Sequence, residues 1–165
     1  MPRPRASLDT AALARAFAAD GLHGTSIEHV AAVAGLAKPT LYARGGDKEE
    51  LFALAVEAEV ERLLDRFEGG GRISDLARAL DAHAREAPEG LRLLLVTARH
   101  RSSRVAARVE RSLARVSEAL GGGAVAAALL GGAVAALHGG PSVVEVARLL
   151  PAPVDEGPPD GIWTA

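Results

Sequence analysis

The residues best suited to chemistry in this sequence lie close together. Lys38, Thr40, Tyr42 and Arg44 place two cations and two hydroxyls within seven positions, and these are the groups that contact phosphate oxygens and base edges. Lys48 follows in the first turn of a helix that Asp47 can cap, where a backbone N–H and an ammonium can meet one phosphate. A second set of cations, Arg104, Arg108, Arg111 and Arg115, recurs at spacings of four, three and four. That period puts four guanidinium groups on one helix face, either a solvated face partly paired with Glu118 or an anion- or partner-binding surface. Arg3 and Arg5 sit in a Pro/Arg tail, either a solvated end or an arm for a phosphate or a minor groove. Other chemistries lack their residues. His23, His29, His83, His100 and His138 share no metal-ligand spacing, and no Ser, His and acid set stands out. Gly121, Gly122 and Gly123 follow a helix and lack the strand and the Lys of a phosphate loop. The expectation is a binding protein and not an enzyme, with no metal and no cofactor.

Positioning the cluster at 38–44 takes two helices and a turn. Thr25 or Ser26 supplies an N-terminal cap, and Ile27, Val30, Ala31 and Ala34 then share one helical face. Gly35 suits the left-handed end of that helix, Leu36 follows as an apolar plug, and Leu41 faces the same core from the next helix. A small residue at 31, Gly at 35 and a branched apolar residue at 41 form a helix-turn-helix pattern. The preceding helix starts at Ser7 or Asp9, buries Leu8, Ala12, Leu13, Ala16 and Phe17, and ends at Asp20 and Gly21. The following one runs over 47–68, with Glu49 and Glu50 at its positive end, until Gly69, Gly70 and Gly71 break it.

Further helices are expected over 73–86 and from Pro88 through Leu91, Leu94, Leu95 and Ala98. Another starts at Ser102 or Ser103 and buries Val105, Val109, Leu113, Val116 and Leu120. Segment 121–137 carries no charge. It is at the short limit for a membrane span and has no aromatic belt, so it reads as a helix buried on all sides. Ala127, Gly131 and Ala135 permit close helix approach there, and a last helix covers 142–150. The fold class is all-α, a three-helix helix-turn-helix head on a helical body.

The run GLAKPTLYARGGDKEELF resembles the signature of the TetR family of one-component transcriptional regulators. Gly35, Leu36, Lys38, Pro39, Thr40, Leu41, Tyr42, Lys48, Glu49 and Leu51 fall in place. Upstream, Phe17 to Leu22 and Thr25, Ser26 and Ile27 fit the family's first helix and connector, so the resemblance covers roughly residues 8–54. It implies DNA contacts by Thr25, Lys38, Pro39, Thr40, Tyr42, Arg44 and Lys48. It also implies a homodimer through 121–150, binding a palindromic double-stranded operator as a repressor. A small-molecule inducer in the body would shift the helix over 47–68 and lower operator affinity. Two positions depart from the family pattern. Ala37 stands where Ser usually caps the recognition helix, a cap worth about 1 kcal/mol. Gly45 stands where an aromatic ring usually wedges that helix into the head. Such a loss costs about 3–5 kcal/mol unless Phe52, Leu22 or another group fills the space. The alternative is a helical dimeric interaction protein of the same fold with weakened DNA binding.

Composition agrees with this outline. The 165 residues are 48% apolar, with five aromatics and no Cys, so no disulfide framework or thiol chemistry is expected. The opening residues hold no apolar run, and a cytoplasmic protein without a signal peptide or membrane partner is expected. Residues 1–48 hold six Lys/Arg against four Asp/Glu, and 49–165 hold thirteen against seventeen. A mildly basic head on an acidic body suits local DNA contact rather than wrapping. The expected organisation is a DNA-binding head at 1–48, a ligand-binding and dimerisation body at 49–150, and a tail at 151–165 with the single Trp163.

Overall fold

The computed structural model describes residues 8–67, 72–97 and 104–149. Arg3, Arg5, Ser7, the break at 69–71, Ala98, His100, Ser102, Ser103, Leu150 and Trp163 lie outside the described residues. Within them all regular structure is α-helix: α1 (Thr10–Phe17), α2 (Gly21–Gly24), α3 (Ile27–Ala34), α4 (Lys38–Gly45), α5 (Lys48–Phe67), α6 (Ile73–Glu86), α7 (Pro88–Thr97), α8 (Ala106–Ala119), α9 (Gly123–Leu137) and α10 (Val143–Ala147). Helix starts follow local chemistry. Asp9 caps α1 by accepting from the Ala11 and Ala12 amides, and Ser142 and Glu145 form a reciprocal capping box at α10. The head has the expected three helices α1, α3 and α4, with the one-turn α2 inserted in the connector.

Apolar side chains from head and body form one buried cluster. It runs from Leu13, Phe17, Val30 and Leu41 through Phe52, Val56, Val60 and Leu63 of α5. From there it reaches Leu80, Leu91, Val116, Leu129 and Val143. Phe17 and Phe52 meet edge to face, with centroids 5.3 Å apart and planes at 85°, a contact worth about 0.5–1.5 kcal/mol beyond burial. The gap expected at Gly45 does not exist. Gly45 is buried, and a Cβ there would overlap Leu51 Cδ2 and lie 2.9 Å from Leu8 Cδ2. Leu8 and Leu51 take the place of the aromatic wedge.

A polar knot lies inside this apolar frame. Glu59 of α5 is 1% exposed, with Oε1 2.6 Å from Nε2 of His83 on α6. Its Oε2 accepts from Nε of Arg62 at 3.0 Å, and Arg62 Nη1 donates to Thr10 Oγ1 on α1 at 3.1 Å. A Cβ on Gly90 of α7 would run into the Glu59 carboxylate, so the missing side chain is what lets α7 close over the knot. On the far side of α6, buried Asp81 pairs with Arg85 and accepts from the Val143 amide at 3.3 Å. That places a carboxylate at the positive end of α10.

Two expectations about the body change. The first is α9, expected to be buried all round. Its Ala126, Leu129, Gly132 and Ala133 face the core, while Ala127, Gly131 and Val134 are exposed. The second is the arginine face of α8, expected either to be solvated with some pairing to Glu118 or to bind an external partner. Arg104 instead pairs with Asp47, Arg108 with Glu50 and Glu57, and Arg115 with Glu61. Partners rise in number together along both helices, so α8 runs parallel to α5. Among the described residues no helix is long and apolar enough to cross a membrane, and no group of His, Asp and Glu is arranged to hold a metal ion.

Candidate nucleic-acid interface

Backbone geometry sets α3 against α4. Ser26 Oγ accepts from the His29 amide at 3.1 Å and starts α3. Gly35, at φ 64°, ends it in the left-handed region, and the Leu36 amide donates to the Ala31 carbonyl at 3.0 Å. The chain then turns through Leu36 and Ala37 into α4. No side chain caps α4, but Pro39 sits in its first turn, where a missing N–H costs nothing. Leu41 is fully buried and anchors α4 to the head core. The outward face of α4 is what remains: Lys38, Pro39, Tyr42 and Arg44 are exposed and Thr40 is half-buried. Pro39, Thr40, Ala43 and Arg44 line a hollow on that face. The α4 sequence contains no acid to oppose a phosphate.

Lys38 is paired with Glu28 of α3. The lysine's hydrogen bond holds the Glu28 carboxyl below the usual carboxylate range, and Glu28 in turn raises Lys38. Lys48 and Thr25 meet each other rather than α4: Nζ of Lys48 donates to the Thr25 carbonyl at 3.1 Å. Thr25 is 4% exposed, and its hydroxyl has no hydrogen-bond partner among the described residues. So five of the seven residues singled out from the sequence share the α4 surface, and the other two form a tether beside it. Asp47 accepts from the Glu50 amide at 3.1 Å and starts α5 next to that tether. This amide, followed by Arg104, keeps the Asp47 carboxyl below its ordinary range.

Arg104 escaped the sequence reading of this region because it lies 56 positions from Lys48 in the chain. The signal was present as two matching stripes. Glu50, Glu57 and Glu61 on one helix span eleven positions, as Arg104, Arg108 and Arg115 do on the other.

A groove of about 590 Å³ opens between the end of α1, α7 and α9, lined by Ala18, Arg92, Leu95, Val134, Leu137 and His138 among others. A smaller hollow of about 200 Å³ adjoins Glu59, Arg62 and Gly90.

Comparison with known proteins follows the same division of the chain. Residues 10–55 match the family described as "Bacterial regulatory proteins, tetR family". Among solved structures the chain is similar to a TetR-like transcriptional regulator from Rhodococcus sp. RHA1, with a TM-score of 0.57 and 25% identity. The similarity covers 85% of this chain and 87% of that one. No curated protein matches the chain.

Proposed function

From a chain that belongs to the tetR family of bacterial regulatory proteins, we propose a homodimeric repressor that holds a palindromic DNA operator and releases it on binding a small molecule. The observation that carries this reading is the acid-free outward face of α4, anchored by buried Leu41 on a helix-turn-helix frame. Thr40 and Tyr42 would face base edges and phosphates, with Pro39 in contact and Arg44 on the backbone. Lys38 would leave Glu28 for a phosphate. Lys48 would meet a phosphate at the start of α5, with Thr25 contributing through the carbonyl that steers it. Two α4 helices, one per protomer, would enter successive major grooves about 34 Å apart. The protein would act on DNA in the cytoplasm, with 1–48 as its DNA-binding head and 49–150 as its regulatory body.

The exposed stripe of Ala127, Gly131 and Val134 supports dimerisation through 121–150, because an apolar patch of this kind is normally covered. The groove between α1, α7 and α9 is a place for the inducer, with apolar walls and the Arg92 guanidinium at its edge. Since Ala18 caps the C-terminal end of α1, an occupant there would bear on the head, and the coupling would run both ways.

The test is selection of duplexes from a randomised pool, followed by titration in salt. Lys48→Ala should weaken binding to all sequences alike and reduce the salt slope by about one. Thr40→Val should change sequence preference instead. If the wild type enriches no duplex, the reading as a DNA-binding repressor fails and the interaction protein replaces it. If Lys48→Ala leaves affinity and slope unchanged, the assignment of Lys48 fails.

A further inference from the structure

The acidic face of α5 begins at the edge that carries Lys48. Asp47 caps the helix, and Glu49 and Glu50 occupy its first turn. Three carboxylates flanking Lys48 in the chain at this helix start would repel an approaching phosphate chain. At an ionic strength of about 0.15 M charges act over roughly 8 Å, farther than the roughly 5.4 Å of the helical turn that carries these acids. Guanidinium groups from the body cover them. Arg104, just ahead of α8, donates from Nη2 to Asp47 Oδ2 at 2.5 Å and from its backbone amide to Glu49 Oε2 at 3.1 Å. Its Nη2 is also 3.8 Å from Glu50 Oε1. Arg108 donates from Nη1 to the other Glu50 oxygen at 2.8 Å and grips Glu57 with its remaining nitrogens.

We infer that Arg104 and Arg108 are positioning residues for DNA binding, a latch by which the body neutralises the acids around Lys48 and holds the first turn of α5 in place. This rests on the regulatory reading above and adds a second route between body and head. Movement of α8 relative to α5 withdraws both cations, exposing three carboxylates at the DNA edge and loosening the cap of the helix that bears Lys48. The two effects act in the same direction, towards release.

Arg115 is the internal control. It makes the same kind of pair with Glu61, farther along α5 from the Lys48 edge. Exposed ion pairs contribute little to global stability, so a change in DNA affinity without a matching change in melting temperature separates positioning from bulk stabilisation.

The experiment uses the full chain and a duplex selected by the wild type. Arg104→Gln should lower affinity roughly three- to ten-fold at about 0.15 M salt, while leaving the melting temperature nearly unchanged. Arg104→Lys, which keeps the charge, should retain most of the affinity. Asp47→Asn on the Arg104→Gln background should restore part of it, since Asn still caps a helix. Arg115→Gln should bind as the wild type does. In the DNA-free protein, amide exchange over 47–51 should quicken in Arg104→Gln and not in Arg115→Gln. Equal affinity of Arg104→Gln and wild type overturns the latch, as does a loss that Arg115→Gln reproduces. If no duplex is enriched, the regulatory reading falls by itself, and the exchange measurement decides whether the latch exists.

Discussion

At the scale of single residues, identity tells less than surroundings. Gly45 occupies a position that the family pattern fills with a ring, yet the head has no vacancy there. Leu8 and Leu51 already close over it. Gly45→Phe should therefore overpack the head at a cost of about 1–3 kcal/mol or more, lowering the melting temperature by several degrees. A calorimetric scan showing a rise would mean that Leu8 and Leu51 can withdraw. The α4 residues were legible in the sequence because types and spacing both pointed outward. The role of Thr25 was not. A hydroxyl next to a helix start reads as a cap or a contact, and nothing local reveals that Ser26 makes the cap while the Thr25 carbonyl holds Lys48.

Elements were legible where their periodicity met a clear boundary. The span of α6 follows from Leu76 and Leu80 after a glycine break, and Pro88 opens α7 as its chemistry requires. Short α2 gave no signal, since a four-residue helix with Gly at each end has neither length nor propensity to announce it. The orientation of α9 was hidden for the opposite reason: with no polar residue along it, no face is marked. Burial of Glu59 was also unreadable, because it depends on Arg62, His83 and the absent side chain of Gly90 meeting across three helices. Burial alone would raise the Glu59 carboxyl. The His83 imidazole 2.6 Å away and the hydrogen bonds and charge of Arg62 outweigh it and hold the carboxyl below its ordinary value. The fold therefore favours the ionised form, and its contribution is present above the ordinary glutamate range, about 4.3. It is lost as pH falls through the depressed native value. Glu59→Gln should cost about 1–3 kcal/mol at neutral pH. In denaturant titrations its gap from the wild type should close on acidification, and a gap independent of pH would contradict the assignment.

On the scale of the whole molecule, the exposed stripe of α9 is open to a direct test. A Cβ at Gly131 meets nothing within 4 Å, so one protomer accommodates a glutamate there without strain. Gly131→Glu should leave the protomer folded but place two like charges across the two-fold axis of the dimer proposed through 121–150 and separate it. Light scattering should then report a monomer, and binding to a full palindrome should be lost. A dimer that survives this change is built elsewhere. The continuous buried cluster has another consequence. A portable module needs an apolar interior of its own, but Phe17 leans on Phe52, and Thr10 is bonded to Arg62. The helix-turn-helix part of this chain is thus not a cassette. Cut from α5 and grafted onto another protein, it would leave behind the half of its interior that keeps it folded.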